Sequence, residues 1–312
     1  MAVQRSFRVL GICLAVSVLV AACASGRTAA PNTSTTAEPP AVSSAPTAVP
    51  SPSRTWVSDE DFNPDNFSNS AAITNPYFPM TPGTTYRWEG QAFDEGDKVT
   101  RAIEFTVTNL TKEINGVVTR VARDIDITNG DAEELELTFY AQDDFGTVWY
   151  LDEYSEEYDD ARIVKSPTWL AGLRGARAGI IMPAEPRTGT PDYAEGWGGT
   201  DEKWTDRGKV DKVGVKDCGP TGCYTDITVI DEFNPDEPGT HQLKYYAPNV
   251  GEIRTGWRGK KEVEKEELQL VSRKNLSEHA LADLHDEVLA QEKRAYQRSP
   301  TAYAKTPPMK RS

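Results

Sequence analysis

The chain has 312 residues, 48 acidic and 34 basic side chains, and a formal net charge of −14. A chain this acidic is repelled by nucleic acid and by anionic lipid headgroups, so neither is an expected partner of its surface. With 38% hydrophobic residues it is rich enough in apolar side chains to bury a sizeable core, and its length suits one large domain or two small ones behind any leader.

The first stretch, MAVQRSFR, carries Arg5 and Arg8 and no acid, and a mostly apolar run follows from Val9 to Ala22. That run is long enough for the apolar part of an export signal and shorter than the roughly 20 residues of a membrane-spanning helix. It ends in LVAAC, where Ala21 and Ala22 precede Cys23. Small residues before a cysteine resemble a bacterial lipoprotein cleavage site. Residues 1–22 are therefore expected to be a signal peptide and Cys23 the lipidated first residue of the mature chain. Two or three acyl chains, palmitate among them, would hold it to the membrane, where one chain alone is marginal. The expected location is the extracytoplasmic face of the cell membrane. Residues 24–55 are mostly Ala, Ser, Thr and Pro with almost no large apolar side chain. Such a segment has no core to bury and reads as a disordered tether, with a root-mean-square span of roughly 30 Å.

Ordered sequence begins near Trp56. Asp59, Asp61, Asn63 and Asp65 alternate like the start of a calcium loop, but Pro64 and Ser70 stand where that loop needs glycine and glutamate. NPYFPMTPGTTYRWEG, residues 75–90, reads as a stiff extended approach ending in a Pro82-Gly83 turn. Tyr86 and Trp88 then share one face of a first strand.

From there the chain alternates with period two. Ile103, Phe105 and Val107 oppose Glu104, Thr106 and Thr108. Val117, Val121, Ile125 and Ile127 oppose Arg120, Asp124 and Asp126. Leu135, Leu137, Phe139 and Ala141 form the next stripe. These are half-buried strands joined by short Asn, Gly and Asp turns, which predicts an antiparallel meander. The fold class is mainly β, a curved sheet or barrel-like domain over residues 56–273. The acids of LDEYSEEYDDAR, residues 151–162, read as a solvated hairpin. Ser166–Gly199, rich in Gly and Pro, reads as a long loop, with Trp169–Pro186 a lid or rim. Looser strands follow up to about residue 272, and no internal repeat is evident.

Cys218 and Cys223 flank Gly-Pro-Thr-Gly. In an exported domain that pair reads as a local disulfide closing a turn; a metal site would want further ligands nearby, and a redox pair usually has two residues between its cysteines. Residues 274–312 read as an amphipathic helix and a tail. Leu276, Ala280, Leu281, Leu284, Val288 and Ala295 fall near helical spacing, Asn275 and Glu278 look like a capping pair, and Pro300 ends the helix.

No catalytic motif stands out: there is no nucleophile elbow, no His-Glu-x-x-His and no phosphate-binding glycine loop. No metal or cofactor is expected; His279, Asp283 and Asp286 on the helix match an ordinary charged face. Trp149, Tyr150, Trp169 and Met182 are candidates to face an apolar or aromatic ligand, and equally candidates for a large β core.

Four stretches, NPYFPMTPGTTYRWEG, YAQDDFGTVWYLDE, WLAGLRGARAGIIMPAEP and KYYAPNVGEI, together resemble a family of uncharacterised bacterial secreted proteins and lipoproteins. That family shows NPYFPL-x-PGT, WLAG…GIxMPA and YYAPGVG motifs; here Asn249 replaces a glycine of the last, and Asn tolerates the left-handed backbone such a turn needs. The resemblance spans about residues 73–272. It carries no established activity, so it implies no catalytic residue. It fits a membrane-anchored, non-enzymatic binding or structural module, the alternative being an envelope-polymer hydrolase with paired carboxylates.

Overall fold

The computed structural model describes residues 56–200 and 204–312. The expected signal peptide, Cys23 and the tether of residues 24–55 lie outside the described residues. The meander forms as the alternation predicts. Strands β1 (Thr84–Asp94), β2 (Asp97–Ile114), β3 (Val117–Thr128), β4 (Asp131–Gln142) and β5 (Val148–Asp159) pair in sequence, each antiparallel to the next. Tight turns separate the first four, with Asn115-Gly116 and Asn129-Gly130 all at positive φ, the conformation two-residue hairpins require.

The glycine- and proline-rich stretch after β5 differs from the expected loop. It contains β6 (Arg162–Lys165), β7 (Thr168–Leu170), β8 (Arg177–Met182), β9 (Tyr193–Ala194) and β10 (Gly196–Trp197). Strands β6, β7 and β8 each pair with a different part of β5, so Trp169–Pro186 is largely wall and not lid. Then come β11 (Arg207–Gly219), β12 (Gly222–Phe233), β13 (His241–Ala247), β14 (Gly251–Arg258) and β15 (Glu267–Asn275), and β15 returns to pair with β1.

The two ends of this sheet meet at Tyr193–Trp197. Strand β9 pairs with β11, and β10, one residue further on, pairs with β8. One extended segment thus bridges both free edges and makes a nearly closed barrel, which removes exposed sheet edges. The approach is close. A Cβ on Gly179 would sit 2.2 Å from the Glu195–Gly196 backbone, and one on Gly208 would sit 2.6 Å from the Tyr193 ring. Asp59 Oδ1 accepts a hydrogen bond from the Ala194 amide at 3.0 Å, so the acidic N-terminal stretch holds the bridging segment in place.

Helix α1 (Glu278–Arg298) packs outside the meander against β2 and β4. Its cap is Ser277, whose Oγ accepts from the Ala280 amide, and not Asn275, which is the last residue of β15 and pairs with Thr84. The expected tail is instead packed: α2 (Pro300–Tyr303) buries Tyr303, and β16 (Lys310–Arg311) adds to β2. Lys112, fully buried, donates to Glu292 Oε1 at 2.7 Å and to the Pro307 carbonyl at 2.8 Å, tying the C-terminal segment to β2. Arg294 forks onto Glu156 with two 2.7 Å hydrogen bonds.

A candidate ligand site inside the barrel

The register places the alternating residues of β3 and β4 on two different buried faces. The outer face, with Val121, Leu137 and Phe139, lies on the helix side, where Gln291 of α1 reaches the Leu135 carbonyl and Arg123 pairs with Glu287. The inner face carries the acids. Asp124 stands directly opposite Glu136, and Asp126 opposite Glu134. Thr138 stands opposite Glu153, and Glu153 opposite Trp169. Asp124, Asp126, Glu134, Glu136 and Glu153 are all buried, whereas Leu135 and Ile125 on the outer face are only partly so. The acidic stripe read as solvent-facing is thus the interior lining. The acids of the expected solvated hairpin are buried as well, Glu153 on the inner face and Asp152 and Glu156 on the helix side, where Tyr303 and Arg294 reach them; only the tip, around Asp159 and Asp160, is exposed.

The opposite wall adds Glu195, Glu232, Glu252 and Glu266 with Lys244 among them, and a second cation, Arg101, lies on β2 beside β3. Arg101 donates to Asp126 Oδ2 at 2.5 Å and lies 3.5 Å from Glu266. Lys244 is fully buried and lies 3.8 Å from Glu252 Oε1. Gln242 donates to Glu266 and Thr255 to Glu252, so much of this wall is internally matched.

The charges set the ionisation. Burial pushes Asp126 up to about 6, with Arg101 opposing and Glu134 reinforcing. Burial pushes Glu232 up to about 7 against the pull of Lys244. Asp124, Glu136 and Glu195 are held well above the carboxylate range, first by burial and then by neighbouring acids: Asp126 for Asp124, Glu153 for Glu136 and Glu232 for Glu195. Burial alone would lower Lys244, but Glu252, Glu232, Glu266 and Glu195 outweigh it and keep the ammonium charged.

Several buried polar atoms on this lining have no hydrogen-bond partner among the described residues. They include both carboxyl oxygens of Asp124, Glu195 Oε1, Lys244 Nζ, the Tyr140 and Tyr193 hydroxyls, Thr138 Oγ1, Thr228 Oγ1 and the Trp169 indole N–H. Orphaned polar groups at this depth are uncommon and call for an occupant, such as water or a ligand.

An aromatic group adjoins the acids. Tyr150 stacks on Tyr140 at 4.8 Å and meets Trp169 and Trp204 edge-on at 5.1 and 5.7 Å; its hydroxyl donates to Glu153 Oε2 at 2.5 Å. Of the residues singled out from the sequence, Tyr150 and Trp169 meet at this wall. Trp149 lies on the other face of β5, under Phe62 and Phe67, with its indole N–H on Asp143 Oδ2. Met182 is buried opposite Val148. Phe78 of the Asn75–Met80 approach sits 5.2 Å from Tyr140 and 6.5 Å from Tyr246, adding to the barrel's aromatic packing; Asn75 anchors that approach through the Gly146 and Pro183 carbonyls. Asn249 takes φ 64°, as its turn requires. Cys218 and Cys223 face each other as a cross-strand disulfide at the β11–β12 tip. His279 and Asp283 pair on the exposed face of α1 at 3.2 Å. Among the described residues, no group of three or more His, Cys, Asp or Glu is arranged to hold a metal ion.

No family model and no curated protein matches the chain. Two solved structures overlap it loosely. One is a candidate exported protein with a YmcC-like fold from Bacteroides fragilis, with a TM-score of 0.35, 13% identity, and coverage of 65% of this chain and 100% of the other. The other is a candidate lipoprotein from Parabacteroides distasonis, with a TM-score of 0.38, 13% identity, and coverage of 64% and 99%. Likeness at that level carries no functional argument.

Proposed function

We propose that the chain is a membrane-anchored envelope lipoprotein whose barrel-like domain binds a small ligand in its interior, without catalysis. The observation that carries the binding reading is the set of buried polar atoms left without partners around the barrel's inner lining, Asp124, Trp169 and Tyr193 among them. A structural core would satisfy such groups internally. The anchoring rests on the LVAAC sequence, and the extracytoplasmic location on that and on the Cys218–Cys223 disulfide, a bond that persists in oxidising compartments.

Native mass spectrometry of the full chain, extracted in mild detergent from the membranes of its own cells, tests the binding. A reproducible small mass released on denaturation supports it; a clean apo mass in every preparation counts against it. The same spectra test the anchor. Diacylglycerol on Cys23 adds its mass to the mature chain, and Cys23→Ser abolishes that mass and releases the protein from the membrane fraction.

The opposed Asp124–Glu136 pair favours a second reading, hydrolysis of an envelope polymer, because glycosidases set two carboxyls about 5–10 Å apart with one kept protonated. Release of reducing ends from envelope polysaccharide, lost in Glu136→Gln, would support it over pure binding.

A further inference from the structure

We infer that the ligand is an organic cation bearing N–H donors, an alkylammonium or guanidinium, seated on the β3–β5 wall between Asp124, Glu136 and Glu153 and the Tyr150–Trp169 aromatic corner. This rests on the binding reading above and specifies its chemistry.

The two walls of the barrel differ in how their charge is matched. On one side Lys244 stands among Glu232, Glu252, Glu266 and Glu195, while Arg101, on β2 beside β3, pairs with Asp126 and Glu266. On the other side Asp124, Glu136 and Glu153 follow one another across three adjacent strands, and among the described residues no ion pair reaches Asp124 or Glu136. Acids directly opposite one another on neighbouring strands repel. The buried Lys244 ammonium acts on Asp124 from across the interior, and protons or a cation brought from outside meet the charge that remains.

Asp124 shows which kind of cation fits. It is 2% exposed, and both its oxygens lack a hydrogen-bond donor among the described residues. A carboxylate in that state accepts N–H donors, which an ammonium or guanidinium supplies and a quaternary ammonium does not. The independent sign of a ligand is the Trp169 indole N–H. It is 2% exposed, sits on the strand facing Glu153, and has no acceptor among the described residues. It asks for an oxygen on the same molecule. The aromatic corner completes the site, since cations pack favourably on Tyr and Trp faces and an apolar stem packs on the same rings. The acids are spread over three strands without converging on a point, which suits an extended organic cation better than a single ion.

The test is calorimetric titration of the full chain in detergent at neutral pH with spermidine and agmatine as probes, and with tetramethylammonium and sorbitol as controls. The expected result is saturable binding of at least one of the two N–H cations, and little or none of the controls. Asp124→Asn combined with Glu136→Gln keeps the shapes and removes the charges, and is expected to weaken binding about tenfold or more. Trp169→Phe keeps an aromatic face but removes the N–H and part of the ring, and is expected to weaken an oxygen-bearing ligand recovered from the cells more than it weakens spermidine, which has no oxygen. If the double variant unfolds, Trp169→Phe and the wild-type probe series still decide. Failure of both N–H cations, with a neutral or anionic mass co-purifying, overturns this inference and leaves the binding reading intact. Failure of both cations with no co-purifying mass overturns both.

Discussion

Lys112 and Gly208 are two positions where a single atom group holds the architecture, and each gives a direct expectation. Lys112 is fully buried between β2 and the C-terminal segment, with Glu292 and the Pro307 carbonyl as acceptors and the Tyr296 and Tyr303 rings 5.1 and 4.9 Å away. Lys112→Met leaves Glu292 buried without its cation. Breaking one side of a buried pair costs about 3–5 kcal/mol, so thermal unfolding is expected to fall by well over 5 °C. An unchanged midpoint would mean that the C-terminal segment adds little to the fold. At Gly208 any side chain meets the Tyr193 ring and Glu195 Oε1, 2.6 and 2.8 Å from a built Cβ. Gly208→Val is expected to cost about 1–3 kcal/mol and to speed hydrogen exchange at Tyr193–Trp197, where the barrel closes. Slow exchange there in the variant would contradict that assignment.

At the scale of elements, period-two alternation located the meander, and helical spacing located the C-terminal helix. The sequence could not say which face of each strand looks inward. Asp124, Asp126, Glu134 and Glu136 alternate with Ile125, Ile127, Leu135 and Leu137, and a lone amphipathic strand puts its acids in water. Here α1 covers part of the apolar face, and a segment distant in sequence closes the barrel over the acidic one. That closure depends on Gly179 and Gly208 admitting the 193–197 backbone, and a close approach between remote segments leaves no local pattern. The readable signal was weaker: three consecutive strands with acids in matching register, plus one amphipathic helix to cover their other face. The disulfide pair and the Asn249 turn were legible because both are local. Trp149, Tyr150, Trp169 and Met182 were legible as buried groups, but their faces were not, because bulges between Phe139 and Tyr140 and between Val148 and Trp149 shift the alternation.

The inner wall also sets how the elements respond to acid. Asp126 and Glu232 are raised in the folded state to about 6 and about 7, against about 4 in an unfolded chain. Between those values the folded state binds more protons than the unfolded one, so these two groups lower stability as pH rises from about 4 to about 7, where their own contribution levels. Glu156 has the opposite sign: burial pushes it up, but Arg294 and two tyrosine hydroxyls hold it low, and its contribution is lost only below about pH 4.5. The midpoint of unfolding without ligand is therefore expected to be higher near pH 5 than near pH 7.5. A midpoint that rises steadily between those values would show that the interior acids are fully matched when ionised.

For the whole molecule, a net charge of −14 and an interior lined with carboxylates both disfavour anionic partners and favour cationic ones. A protein selected for stability alone would not set acids against each other across β3 and β4; one selected to take up a cation keeps that repulsion because the ligand relieves it. The most direct test is thermal unfolding of the ligand-free full chain at pH 7.5, comparing wild type with the Asp124→Asn, Glu136→Gln double variant. Relief of a directly opposed acid pair is worth up to about 1 kcal/mol, so the variant is expected to melt about 2–4 °C higher. A variant that melts several degrees lower would contradict it, because it would show those carboxyls to be structural acceptors that the fold already satisfies.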